Sequence, residues 1–256
     1  MNPKMSSPKV GFLYPGYAAE DDYPRLGKMV NPNVDVELII TEFNEDAHTV
    51  EALSEMGSNR RIVDGTKHLV GKGVQSVLWT STSASFVRGL EGIKEQIATL
   101  EEQLNVPAST TALAFVRAAK AIGAKRVALA ATYPEDVALL FKVLLESFDI
   151  EVIQFASKGI ITAAEVGTLQ KDEVGNLAVE NDCPDADALF IPDTALHSAE
   201  WIEDLEEAVQ KPVLTANQVS FWEALRLTGQ FTPQKGLGTL FKQELPKEGE
   251  LDVIKS

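Results

Sequence analysis

The sequence predicts an α/β protein built from two pseudo-symmetric, Rossmann-like halves, each a parallel sheet, with a site in the cleft between them. Three observations lead there. Short apolar runs bounded by turn residues alternate with longer segments of helical period, the pattern of parallel strands joined by crossover helices. The chain also repeats itself. "KVGFLYPGYAAED" (9–21) is echoed by "KRVALAATYPEDV" (125–137), "SVLWTSTSASF" (76–86) by "ALFIPDTALHS" (188–198), and "AFVRAAKAIG" (114–123) by "SFWEALRLTG" (220–229). An internal duplication is the simplest account of these matches. Third, 256 residues at 45% hydrophobic can bury one large core or two small ones.

Taken in order, strands are expected near Val10–Tyr14, Val34–Thr41, Val74–Trp79 and Pro107–Ser109, then near Val127–Ala131, Glu151–Phe155, Ala188–Ile191 and Pro212–Thr215. These are short apolar runs bounded by turn residues. Helices are expected over "VRGLEGIKEQIATLEEQL", "LAFVRAAKAIG", "PEDVALLFKVLLESF", "AEWIEDLEEAVQ" and "SFWEALRLTG", where apolar residues recur at three and four. The division that follows gives residues 1–112 to the first half, completed by 215–256, and 113–214 to the second. The tail "QELPKEGELDVIKS" carries charge without periodicity, so a mobile end is expected.

Composition narrows function. Lys+Arg number 23 against 38 Asp+Glu, a formal charge of −15, which repels nucleic acid and anionic membranes alike. Neither is expected as a partner, and an anionic ligand must be held by local donors. The first apolar run is broken by Pro15 and followed by acids, so it resembles a strand more than a secretory segment. No stretch approaches the ~18 apolar residues of a membrane span. With Cys183 alone there is no disulfide framework and no cysteine metal site, and a cytoplasmic protein is expected. Cys183 precedes its strand, far from the crevice, and reads as structural. His48, His68 and His197 form no HxH or HExxH spacing, and GxSxG and GxGxxG are absent. That argues against metal, serine-hydrolase and dinucleotide sites, and no cofactor is expected.

In open parallel sheets ligands sit at the carboxyl ends of the strands. There "WTSTSASF" crowds Thr80, Ser81, Thr82, Ser83 and Ser85 into one strand-to-helix turn. Hydroxyls and free N–H groups at such a turn cradle an anion, although one of them can simply cap the helix. In the repeat the equivalent place holds Asp193 and Thr194. Asp193 is either a turn residue or a general acid or base, and His197, four residues on, is either a neighbour of that mouth or a solvated bystander.

The segments "TSASFVRG" (82–89), "RVALAATYPEDV" (126–137), "FWEALRLTG" (221–229) and "GLGTLF" (236–241) resemble the aspartate/glutamate racemase superfamily, in its branch of arylmalonate decarboxylases and maleate cis-trans isomerases. The resemblance extends nearly to Phe241. It implies two α/β halves, no cofactor, and a small carboxylate or dicarboxylate substrate passing through an enediolate-like intermediate. Family members carry cysteine at two equivalent strand ends, or at the second alone. Here those positions are Ser81 and Asp193.

By that resemblance the catalytic set is Asp193, Ser81 and Tyr133, and Pro15, Gly16, Thr82, Ser83, Thr194 and Asn217 bind substrate. Serine without a base cannot replace a thiolate, which leaves one competent proton-transfer group. A decarboxylase needs only one. The first expectation is therefore a lyase with Asp193 in place of the usual cysteine. An isomerase or racemase shifting a proton through Asp193, and a non-catalytic carboxylate binder, stay open, as does a homo-oligomer.

Overall fold

The computed structural model describes residues 7–16, 18–247 and 249–254. Its first sheet contains β1 (Lys9–Tyr14), β2 (Asp35–Ile40), β3 (Ser76–Trp79) and β4 (Ala108–Thr110) in the order β2-β1-β3-β4. The second contains β5 (Arg126–Ala131), β6 (Glu151–Ser157), β7 (Ala188–Ile191) and β8 (Val213–Thr215) in the order β6-β5-β7-β8. Every pairing is parallel. Strand order repeats along with sequence, so the echoed segments occupy equivalent places.

The helices are α1 (Asp22–Met29), α2 (Val50–Met56), α3 (Asn59–Thr66), α4 (Ser83–Phe86), α5 (Gly89–Leu104), α6 (Thr111–Ala121), α7 (Glu135–Glu146), α8 (Ala163–Val166), α9 (Lys171–Asn181), α10 (Ile202–Val209), α11 (Ala216–Leu227) and α12 (Gly238–Lys242). Strands β3 and β7 are buried at every residue, as inner parallel strands covered on both faces must be. In α5 the stripe Ile93, Ile97 and Leu100 turns inward, and the helix stops at Asn105 in the left-handed conformation. No helix among the described residues is long and apolar enough to cross a membrane.

Two helices exchange sheets and so weld the halves. Helix α6 follows β4, but its Phe115 packs on Phe141 and on Phe190 of β7, at 5.4 and 5.5 Å between ring centres. Helix α11 follows β8, but its Phe221 stacks on Phe12 of β1 at 6.4 Å and on Phe241 at 6.2 Å. Both begin at a threonine cap, Thr110 accepting from Leu113 N and Thr215 completing a capping box with Gln218. Thr111 and Ser220 hydroxyls join the pair at 2.6 Å. The main apolar core therefore runs through both sheets.

Beneath this junction lies a buried charge cluster. Glu223 of α11 is fully buried and accepts from Arg226 at 2.7 Å and from Arg117 of α6. Arg117 also donates to Ser109 Oγ at 3.0 Å and, through Nε, to the Leu251 carbonyl at 3.1 Å. This corrects the expected mobile tail. Leu251 is buried, and Val253 and Ile254 pack against the core. The described charges of the tail, Glu244, Lys247, Glu250 and Asp252, are exposed, and a buried guanidinium that needs an acceptor holds its backbone.

Candidate functional site

The carboxyl ends of β1, β3 and β7 converge on a narrow cavity between the halves. Pro15 and Gly16 form one rim. Gly16 sits at φ +91°, a left-handed conformation that glycine adopts without cost. Ser81 and Ser83 come from the β3–α4 turn, and Asp193 and Thr194 from the turn after β7. Ser81 and Asp193 are each the second residue beyond their strand, so the two halves offer equivalent positions to one cavity.

Asp193 is buried, with 4% of its surface exposed. Ala195 N donates to its Oδ1 at 2.9 Å, and the Thr132 hydroxyl donates to Oδ2. The first bond is an Asx turn, so the turn reading of this residue is realised. It does not exhaust the side chain, because a carboxylate has about four acceptor sites and only two are used. The cavity face of Asp193 keeps acceptor capacity for a ligand proton.

Two tyrosines clamp the same turn. Tyr14 donates to the Thr194 carbonyl at 3.2 Å, and Tyr133 donates to the Pro192 carbonyl. Burial pushes both phenols well above their ordinary value, and the Asp193 carboxylate pushes them further. Both therefore remain protonated donors and cannot serve as bases. Ala19 N–H opposes the shift at Tyr14, and the Thr82 and Ser83 hydroxyls oppose it at Tyr133.

Opposite, Ser81 Oγ accepts from Ala84 N at 3.3 Å, the capping role. Thr80 is spent on the Leu13 carbonyl at 2.7 Å. Thr82 Oγ1 and Ser85 Oγ are buried and meet no hydrogen-bonding geometry among the described residues. The backbone N–H groups of Ser81, Thr82 and Ser83, and of Asp193 and Thr194, also have no acceptor among the described residues. Consecutive N–H groups of this kind form a concavity that suits an anionic oxygen.

Some expected site residues face elsewhere. The Thr82 and Tyr133 side chains are not among those that line the cavity. Asn217 is fully buried in a structural node, donating to Asp22 Oδ2 at 3.0 Å and the Leu196 carbonyl at 3.2 Å and accepting from Tyr23 at 3.0 Å. Burial raises the Asp22 pKa, partly offset by Asn217 and by the Ser198 and Ala199 N–H groups. His197 pairs with Asp21 at 2.9 Å outside the cavity. The sequence reading missed Tyr14, Phe43, Asp46 and His48, all of which line it. Only Tyr14 had a signal, since its Tyr-Pro repeats Tyr133-Pro134.

The missed residues after β2 belong to one strap, residues 41–49, which crosses from the first half to the second. Asp46 accepts from Ala163 N at 2.8 Å and Ala164 N at 3.0 Å, and His48 N donates to the Ile161 carbonyl at 2.6 Å. Asp46 thus holds the strap over the cavity by satisfying the first N–H groups of α8. Replacing Asp46 with alanine should cost about 1–2 kcal/mol locally, the range for losing a cap. Amide exchange should quicken at 160–166 and leave β5 and β7 unchanged; unaltered protection at 163 and 164 would discount the clasp.

A family model described as arylmalonate decarboxylase matches residues 41–241. Arylmalonate decarboxylase from Bordetella bronchiseptica is 25% identical over 241 residues, spanning 93% of this chain and 98% of that protein. A liganded double mutant of arylmalonate decarboxylase superposes with a TM-score of 0.80 at 24% identity, covering 92% of this chain and 99% of that one. A Pseudomonas putida maleate isomerase variant with maleate gives 0.83 at 20% identity, covering 94% and 99%.

Proposed function

The chain belongs to the arylmalonate decarboxylase family, and from that premise we propose that it is a carbon-acid enzyme releasing CO₂ from a small dicarboxylate, with Asp193 as the acid. The observation that carries this reading is the placement of Asp193, a buried carboxyl with free acceptor sites, across from a run of uncommitted N–H groups in one cavity. In this proposal the cavity lies between the two halves read from the sequence, 1–112 completed by 215–256, and 113–214.

In this reaction the bond from the α carbon to one carboxylate breaks. Its electron pair moves into the retained carboxylate as an enediolate, and CO₂ leaves. The N–H groups at 81–83 and 194, with the Ser83 hydroxyl, meet the growing charge on the enediolate oxygens, and such fixed donors are worth about 3 kcal/mol each. Asp193, protonated at an acceptor site that Thr132 and Ala195 N leave free, gives that proton to the α carbon and recovers one from solvent. Ser81 remains a cap and donor. Tyr14 and Tyr133 act as positioning residues, holding the carbonyls on either side of Asp193.

One observation favours a second reading, a proton-shifting isomerase. Thr132 and Ala195 N both donate to Asp193, an arrangement suited to a proton acceptor. A panel of substituted malonates, maleate and amino acids, assayed without added metal or cofactor, separates the readings. CO₂ release is expected. Solvent deuterium entering an otherwise unchanged substrate would favour the isomerase, and binding without either would leave a carboxylate-binding protein. Ser83→Ala should reduce kcat/KM by about tenfold, less than a whole oxyanion donor, because the backbone N–H remains. A variant as fast as the parent would remove Ser83 from the donor set.

A further inference from the structure

The proposed reaction leaves one buried titratable group in the cavity unused. His48 is 6% exposed, lines the same wall system as Asp193, and comes from the strap over the cavity. Its Nδ1 lies 2.9 Å from the Ile160 carbonyl. A carbonyl can only accept, so Nδ1 carries the proton and Nε2 is the bare nitrogen of the neutral ring. Nε2 makes no hydrogen bond among the described residues. The ring is fixed by the Ile160 carbonyl and by an edge contact to Tyr133 at 5.0 Å, and the His48 backbone N–H is anchored on the Ile161 carbonyl at 2.6 Å.

Charge makes this placement consequential. The other side chains lining the cavity are apolar, hydroxyl-bearing or acidic, and two of them, Asp46 and Asp193, are carboxyls. Among the described residues that line the cavity, His48 alone can become a cation. An anionic substrate entering here meets acidic neighbours inside a protein of formal charge −15, and nearby like charges weaken its binding unless a cation offsets them.

We infer that His48 is a substrate-binding residue of this site: its ring, protonated at Nε2 while Nδ1 stays on the Ile160 carbonyl, pairs with a carboxylate of the ligand. This rests on the carboxylate reading of the cavity and extends it by naming the counter-charge. The site then selects for acids, and ligand and proton bind together. Tyr133, from the turn after β5, packs on the imidazole, and the other titratable groups that line the cavity with it are Tyr14 from β1, Asp193 from the turn after β7 and Asp46 from the strap itself. The tyrosines stay neutral, so the carboxyls and the ligand set its charge.

The test uses the full chain labelled at its three histidines, with malonate as the probe. Each ring is assigned by His→Gln substitution, and its ¹⁵N shifts are followed from about pH 5 to about pH 9, the range that brackets histidine titration. Saturating malonate should move the His48 titration upward by about one pH unit, equivalent to tenfold tighter binding by the imidazolium, and leave His68 and His197 unmoved. His48→Gln, which keeps a donor for Ile160, should bind malonate about tenfold more weakly at the acid end and equally at the alkaline end. Malonate that binds the parent without shifting His48, or binds His48→Gln with the same pH dependence, overturns the inference and leaves the carboxylate reading standing. Malonate that does not bind the parent at any pH overturns both.

Discussion

Asp193→Asn is expected to lower turnover by ~10²–10⁴, the usual span for removing a general acid or base, while malonate binding persists within a few-fold. Asparagine preserves the size of the group: its amide oxygen can still accept from Ala195 N, and its NH2, standing in for the second carboxylate oxygen, can donate to the Thr132 hydroxyl in return. The turn after β7 is therefore kept, with Tyr14 and Tyr133 still holding the carbonyls of Thr194 and Pro192. What disappears is the exchangeable carboxyl proton. Single-turnover assays on a malonate that the parent decarboxylates, run beside a binding titration, separate the two effects. Parallel loss of binding and folding would mean that Asp193 serves only as the turn residue it also is. Turnover within a few-fold of the parent would move proton transfer to another group lining the cavity, such as His48. Asp193→Cys, which installs the thiol that the resembling family carries there, offers a second arm: recovery of turnover relative to the asparagine variant identifies proton donation as the missing step.

The doubled architecture was legible because duplication leaves its mark in local sequence. Apolar runs such as "ALFI" and "SVLW" are buried on both faces and need no partner to be recognised as strands. The unexpected helices are short or broken by poor helix formers. Helix α1 carries Pro24 in its first turn, and α2 stops at Gly57, where a Cβ would lie 2.0 Å from the Ala84 carbonyl. These elements exist because something packs on them, which periodicity does not record.

The site divides in the same way. Ser81, Ser83, Asp193 and Thr194 sit just past strand ends, a place that sequence reveals. His48 and Asp46 enter the cavity only because the strap crosses to Ile160 and Ala163, more than a hundred residues away. Asn217 was assigned to the site by resemblance, yet its amide is consumed by Asp22 and Leu196. Hydrogen-bond partners over such distances decide which polar residue is free to meet a ligand.

The largest effect on stability is expected at Glu223. Replacing it with alanine leaves Arg117 buried beside an empty acceptor, and breaking a buried ion pair from one side costs about 3–5 kcal/mol. At roughly 2–4 °C per kcal/mol for a chain of this size, the melting temperature should fall by about 10 °C. The effect carries a pH signature whose sign follows from the charges. Burial alone would raise the Glu223 pKa, but Arg117, Arg226 and the Ser109 hydroxyl together outweigh it and hold the carboxyl below its ordinary value. Its stabilisation is therefore complete above the ordinary glutamate range and disappears as pH falls through the lower, folded-state value. Melting curves of parent and Glu223→Gln should diverge at neutral pH and converge in acid. Because Arg117 also holds the Leu251 carbonyl, deletion of residues 247–256 should destabilise the parent, and do so less in Glu223→Ala, where that junction is already broken. Strictly additive losses would separate the tail from the cluster. A Glu223→Ala protein as stable as the parent would remove the ion cluster from the forces that weld the two halves.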